Sequence, residues 1–182
     1  MTKKMTLIAA ILLLLPCMAF AVPVKYTTSG SVAGASFITY AGVNPAVTVS
    51  PGLNRPFGTL KVNCTAASCP AAGATLSVTI HQTLPGVGTG SVSATITGTF
   101  TNTGGGNLTL VWSGPVTISA GNFNTTYNPV TGGVVCSTGK CSVKLKVDII
   151  QTVPEPTAEL LLGLGTLGLM GLATASRKMI SA

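Results

Sequence analysis

The sequence predicts an all-β fold: a single antiparallel β-sandwich domain over residues 22–152, with a closed β-barrel as the alternative. Three observations support this class. Apolar and polar residues alternate over long stretches, turn-forming residues recur at intervals of roughly ten residues, and no ten-residue window in this region carries the apolar stripe of a helix. Without the apolar segments at the two termini, about 130 residues are left, which suffices for one domain with a modest core.

The alternation is clearest over residues 75–82, 91–101 and 143–149. In the first stretch Leu76, Val78 and Ile80 share one face, while His81 lies on the Thr/Ser face. In the second, threonines at positions 95, 97, 99 and 101 form a regular row. Such rows resemble ice-binding surfaces, but exposed threonine is also what a soluble strand face favours, and we prefer that interpretation.

Shorter apolar segments predict the remaining strands, and turn residues separate them. The predicted short strands are residues 25–29, 36–40, 46–49, 59–64, 108–112, 116–119 and 123–127. The predicted turns include Asn44-Pro45, Ser50-Pro51-Gly52, Leu84-Pro85-Gly86, Gly104-Gly105-Gly106 and Ser113-Gly114-Pro115.

The C-terminal segment has three parts in a fixed order. Val153-Pro154-Glu155-Pro156 precedes an apolar stretch over about residues 157–176, and Arg177-Lys178 follows it. About twenty residues at 1.5 Å rise cover the ~30 Å hydrocarbon core, so this stretch is predicted to be a transmembrane helix. The basic pair places residues 179–182 in the cytoplasm by the positive-inside rule.

This tail, residues 153–178, resembles the PEP-CTERM sorting signal of Gram-negative bacteria. The resemblance rests on Val153, Pro154, Glu155, Pro156, Arg177 and Lys178, although the basic cluster has two residues where many members have more. It implies that an exosortase recognises Pro154-Glu155-Pro156 and that the membrane helix is transient. It also implies a setting in bacteria that make exopolysaccharide, where such proteins are thought to contribute to biofilm or floc matrix.

The N-terminus has the three regions of a secretory signal peptide, residues 1–21: Lys3-Lys4, an apolar run, and Ala19-Phe20-Ala21. We expect signal peptidase to cleave after Ala21. A lipoprotein would need Cys17 as the lipid acceptor, and Pro16 before it fits that pattern poorly. Residues 22–152 are therefore expected in the periplasm, at the cell surface or in the extracellular matrix, after passing through the inner membrane.

Four cysteines remain after signal removal, in two C-x4-C pairs: Cys64 with Cys69, and Cys136 with Cys141. An even count in an exported domain favours disulfides over a zinc site. Four cysteines allow three pairings. The two local ones are favoured because each would close a short turn at a strand end.

The composition argues against an enzyme, and we predict no catalytic residue, cofactor or metal. Residues 22–147 contain no Asp or Glu, which excludes paired-carboxylate hydrolysis and leaves only Asp148 for a catalytic triad. His81 is the single histidine, and a solvated surface imidazole is the preferred interpretation.

Six basic residues against Asp148 give residues 22–152 a net charge of +5, a bias toward anionic partners such as acidic exopolysaccharide. Nucleic acid is not expected, because no aromatics are interleaved with these charges.

These observations predict an exported, non-catalytic structural or interaction protein of the cell envelope or exopolysaccharide matrix. The alternative is a carbohydrate-binding module that uses Trp112 and Tyr127 as a platform for a sugar ring. Trp112 shares a strand face with Leu108 and Leu110, so a role in the core competes with that alternative.

Overall fold

The computed structural model describes residues 21–152, and the signal peptide and sorting signal predicted above lie outside them, apart from Ala21. Within that range the chain forms twelve strands and no helix. In chain order they are β1 Val24–Ala33, β2 Ile38–Ala41, β3 Val47–Val49, β4 Gly52–Asn63, β5 Cys69–Pro70, β6 Ala74–Leu84, β7 Gly88–Thr101, β8 Gly105–Trp112, β9 Val116–Ala120, β10 Phe123–Pro129, β11 Gly132–Cys136 and β12 Lys140–Thr152.

The strands form two curled antiparallel sheets, each a half-barrel. The larger sheet has the order β11-β8-β7-β6-β1-β3, with β5 pairing beside the end of β7. The smaller sheet has the order β2-β4-β12-β10-β9. The first four strands alternate between the two sheets, so the N-terminal third of the domain ties them together.

One core fills the space between the sheets, because each long strand turns its apolar positions inward. In β6, Leu76, Val78 and Ile80 are completely buried, as the alternation predicts. The largest fully buried side chains include Tyr26, Phe57, Phe100, Leu60, Leu108, Leu110, Ile149 and Tyr127. Each buried Leu, Ile or Phe side chain contributes roughly 1.5–3 kcal/mol of transfer free energy, so this shared interior holds the two sheets together.

The all-β prediction is confirmed, and ten of the strands overlap the segments that sequence patterns predict, although β4 begins at Gly52, within a predicted turn and seven residues before its predicted start. Strands β5 and β11 were not predicted, and the predicted turn over Gly104-Gly105-Gly106 is wrong in part because β8 begins at Gly105. Gly105 has φ +67°, and a Cβ there would overlap the backbone around Cys136. The glycine thus allows β8 to pass close to β11, which accounts for a strand where the sequence indicates a turn.

Candidate functional site

The outer face of the larger sheet presents rows of hydroxyl groups, and we call it the hydroxyl face. The register places Ser29 opposite Thr79, and Thr79 opposite Ser91, with the Thr79 and Ser91 hydroxyl oxygens 3.3 Å apart. Rows repeat at ~6.6 Å along each strand and ~4.8 Å between strands. Its hydroxyl-bearing members are Thr27, Ser29, Ser31, Thr75, Ser77, Thr79, Thr89, Ser91, Ser93, Thr95, Thr97, Thr99 and Thr109, and Lys25, His81, Asn107 and Val111 are exposed on the same side.

Thr101, the last member of the predicted threonine row, forms hydrogen bonds with the backbone of a turn. Its hydroxyl donates to the Gly105 carbonyl at 3.2 Å and accepts the Gly104 N–H at 3.1 Å. This side chain therefore closes the turn between β7 and β8. The regular row on β7 consists of Thr95, Thr97 and Thr99.

His81 is exposed on the hydroxyl face. Its register partners are Thr27 on β1 and Thr89 on β7, and its Nδ1 lies 3.5 Å from the Thr89 hydroxyl. A general base is oriented by a hydrogen-bonded partner and acts on a nucleophile within reach. The described neighbours of His81 in its row supply hydroxyls but no carboxylate, which fits the surface interpretation.

The outer face of the smaller sheet carries a cluster of positive charge, which we call the lysine face: Lys61, Lys140, Lys144 and Lys146. All four side chains are exposed. On β12 they alternate with the partly or fully buried Cys141, Val143, Leu145 and Val147. Lys61 on β4 lies opposite Ser142 and so sits diagonally between Lys140 and Lys144.

A groove of about 490 Å³ adjoins the lysine face at Lys144 and Lys146. The segment between β2 and β3 forms one wall, including Asn44 and Pro45. Strand β4 contributes Asn54, Pro56, Gly58 and Thr59. The lining combines ammonium groups, amides and a hydroxyl with small apolar surfaces, a mixture that suits a polar, partly anionic ligand.

Trp112 and Tyr127, the predicted carbohydrate contacts, lie in different places and neither forms an exposed platform. Trp112 is partly buried, with its ring centroid 5.6 Å from that of Phe57 and its Nε1 donating to the Val130 carbonyl at 3.3 Å. Tyr127 is completely buried on β10 in the smaller sheet. Trp112 therefore offers a sugar ring only part of its surface, and Tyr127 offers none while the core is closed.

Tyr127 belongs instead to a polar cluster inside the core. Its hydroxyl donates to Gln82 Oε1 at 2.9 Å, and Gln82 Nε2 donates to the Gly86 carbonyl at 3.2 Å. The Tyr26 ring packs edge-on against Tyr127, with centroids 5.5 Å apart, and its hydroxyl donates to the Pro56 carbonyl at 2.6 Å. Burial raises the pKa of both tyrosines because the phenolate would lose its hydration, so both stay neutral in the fold.

A second small cluster joins the two sheets at β1 and β2. The Tyr40 hydroxyl lies 2.9 Å from the Thr28 hydroxyl oxygen, which accepts the Val43 N–H at 2.8 Å. Tyr40 also donates to the Phe57 carbonyl. Burial raises the pKa of Tyr40 to about 12. These bonds fix the start of the segment that walls the groove.

Both local cysteine pairs are at disulfide distance. The Cα atoms of Cys64 and Cys69 are 5.9 Å apart, and those of Cys136 and Cys141 are 6.0 Å apart. This geometry is consistent with the local pairing favoured from the sequence. The second pair closes the turn into β12 and holds the start of the strand that carries three of the four lysines.

Several predictions concern features outside this site. Cleavage after Ala21 and the sorting residues Val153, Pro154, Glu155, Pro156, Arg177 and Lys178 depend on segments outside the described residues. Within residues 21–152, no helix is long and apolar enough to cross a membrane, and no three His, Cys, Asp or Glu side chains are grouped to hold a metal ion.

The chain matches no protein-family model, and it shows no significant similarity to curated proteins or to solved structures.

Proposed function

We propose that this chain is an exported, non-catalytic structural or interaction protein of the cell envelope or exopolysaccharide matrix. The observation that carries the proposal is the hydroxyl face. It is broad and extends over four paired strands, and among the described residues Lys25 on β1 is the one charged residue on this side of the sheet. Such a surface offers many weak hydrogen bonds to a polymer lying along it, whereas a catalytic site encloses a small substrate around a few perturbed groups.

The proposal includes a complete β-sandwich in which the two curled sheets are the facing halves. Their shared core and the two cysteine pairs suit a domain of this size in an oxidising environment. It also includes the two flanking segments: a signal peptide that signal peptidase removes after Ala21, and a C-terminal helix that holds the chain in the inner membrane until an exosortase acts at Pro154-Glu155-Pro156.

Replacing Pro154, Glu155 and Pro156 with alanine tests the sorting step. We expect the triple variant to keep its tail and to fractionate with the inner membrane, while the parent chain is processed and reaches the surface or the medium. The Arg177→Lys/Lys178→Arg variant keeps both charges and serves as the control, with the parent's distribution expected. Normal processing and location of the alanine variant would defeat the proposed sorting.

A carbohydrate-binding module centred on Trp112 is the second candidate, and the partial exposure of that ring is the observation that favours it. Because Trp112 is the only tryptophan, its fluorescence reports this site alone. The hypothesis predicts that iodide quenches the emission and that added polysaccharide protects it. A shielded indole that ignores both additions would exclude Trp112 as a binding residue.

A further inference from the structure

The charge of the domain is distributed unevenly between its two outer faces. The outer face of the larger sheet carries one charged residue, Lys25, among the described residues, while four of the six basic residues of residues 22–152 form the lysine face. Pairing of β4 with β12 brings Lys61 beside lysines that are about eighty positions away in the chain. The sequence alone shows an excess of positive charge, and the fold concentrates it.

Neighbouring lysines on this face are close enough for their fields to add. Lys144 and Lys146 are alternate residues ~6.6 Å apart, which is less than the ~8 Å screening length at physiological ionic strength. Lys140 is ~13 Å from Lys144, and Lys61 fills this interval as the diagonal neighbour of both, ~7–8 Å from each. From Lys140 to Lys146 the row extends ~20 Å at ~3.3 Å per residue. The face is therefore a linear array of positive charge, whose natural counterpart is a linear polyanion.

The domain has little negative charge with which to neutralise this array. Asp148 is the only carboxylate in residues 21–152, and its Oδ1 accepts the backbone N–H of Asn54 at 2.8 Å. It lies opposite Asn128 on β10 and is the next residue after Lys146 on the same face of β12, ~6.6 Å along the strand. Asp148 therefore offsets part of the positive charge at the Lys146 end, and the array keeps a net positive charge for an external partner.

We propose that the lysine face and the adjoining groove bind an acidic polysaccharide, with its carboxylates along the lysine row and a sugar residue in the groove. This inference rests on the proposed matrix function and names the partner class. Asn44, Asn54 and Thr59 supply hydrogen-bonding groups for sugar hydroxyls beside Lys144 and Lys146. Pro45 and Pro56 supply apolar surface for the ring face.

Single-stranded nucleic acid fits this surface less well. It is held by aromatic side chains on which bases stack, and neither the lysine face nor the groove lining includes Trp, Tyr or Phe. Lysine binds carboxylate and phosphate alike as a point charge, so duplex DNA and anionic phospholipid are the competing ligands in the test below.

The test compares polygalacturonate with its fully methyl-esterified form, which has the same backbone without the charge. The full-length protein, purified in a mild detergent, is titrated with each polymer at physiological salt. We expect the esterified polymer to bind at least tenfold more weakly. The affinity for polygalacturonate should fall steeply with added salt.

Matched variants locate the site. Lys144→Gln and Lys146→Gln should each weaken binding of polygalacturonate about two- to fivefold, the range of an exposed ion pair. Lys25→Gln removes the same charge from the outer face of β1 in the larger sheet and should change the affinity less than 1.5-fold. Asn44→Ala should weaken binding about twofold without altering the dependence on salt. Far-ultraviolet circular dichroism of each variant verifies that the strands are intact.

Four results would overturn the proposal: equal binding of both polymers, no binding of polygalacturonate, an equal loss in Lys25→Gln, or tighter binding of duplex DNA or anionic phospholipid vesicles at equal charge concentration. An unchanged affinity in Asn44→Ala would remove the groove from the site. Any of these could occur while Pro154-Glu155-Pro156 still directs sorting, so failure of this inference is distinguishable from failure of the proposed function.

Discussion

The buried pair Tyr127 and Gln82 gives a direct test of how the core is held together. Tyr127→Phe removes only the hydroxyl that donates to Gln82 Oε1 at 2.9 Å. Both side chains are at most 1% exposed, so water cannot replace the lost donor without entering the core. The ring and its edge-on contact with Tyr26 remain. The expected loss is the unfavourable free energy of an unpaired buried acceptor, about 1–3 kcal/mol.

A substitution at Thr125 provides a matched variant with the opposite expected effect on the free energy of unfolding. Thr125 lies on the same strand, β10, and is completely buried, but its hydroxyl has no hydrogen-bond partner. Thr125→Val replaces that hydroxyl with a methyl group of similar size and keeps a β-branched residue in the strand. Because an unpaired buried hydroxyl costs about 1–3 kcal/mol, we expect the free energy of unfolding to rise by about 1 kcal/mol.

Urea unfolding of the full-length chain, followed by Trp112 fluorescence, measures both effects. The two midpoints should move in opposite directions, with the same denaturant slope as the parent. In thermal unfolding each kcal/mol corresponds to a shift of ~4 °C for a domain of this size. This hydrogen-bond assignment would be refuted if Tyr127→Phe left the free energy of unfolding unchanged, or if Thr125→Val lowered it as much as Tyr127→Phe does.

Two further predictions concern ionisation and backbone geometry. Burial raises the pKa of Tyr40 to about 12 from an unfolded value of 10.0, so the folded state holds a proton that the unfolded state loses. The stabilisation from this proton should therefore be fully present below pH 10 and fall as the pH rises from 10 toward 12. Urea unfolding at pH 8 and pH 11 should show a smaller loss of unfolding free energy between the two pH values in Tyr40→Phe than in the parent. Gly58→Ala should destabilise by more than about 3 kcal/mol, because φ is +115° and the new Cβ would lie 2.7 Å from the Tyr40 ring. Gly73→Ala, with φ +77° and nothing within 4 Å of the new Cβ, isolates the backbone contribution at about 1–2 kcal/mol in the same assay. Equal losses in the two glycine variants would contradict the proposed contact.

Alternation in the sequence predicts which face of a strand is buried, and here it was reliable. It places Leu76, Val78 and Ile80 inside and His81 outside, as the structure has them. The same parity places Gln82 on the apolar face. The one sequence feature that indicated the buried hydrogen bond between Tyr127 and Gln82 was the Gln82 amide, which follows the apolar residues on the buried face of β6.

Alternation does not predict which strands become neighbours. Lys140, Lys144 and Lys146 share a face by parity alone, but the position of Lys61 beside them depends on a long-range pairing. The groove depends on the path of the segment around Asn44 between the two sheets. Strand β5 has two residues and β11 begins with two glycines, so neither offers a pattern to detect.

In the proposed matrix function, the two outer faces would have different roles. The hydroxyl face would make many weak, uncharged contacts, while the lysine face would fix the domain on a charged polymer. Because the two sheets share one core, these faces point away from each other. A domain of this kind would be able to contact two polymers at once.

Mass spectrometry of the protein recovered from outside the cell tests the proposed export and processing most directly. We predict an N-terminus at Val22, loss of the apolar segment after Pro154-Glu155-Pro156, and peptides that link Cys64 with Cys69 and Cys136 with Cys141. A recovered chain that begins at Met1, or that still carries residues 157–182, would contradict the proposed route of export.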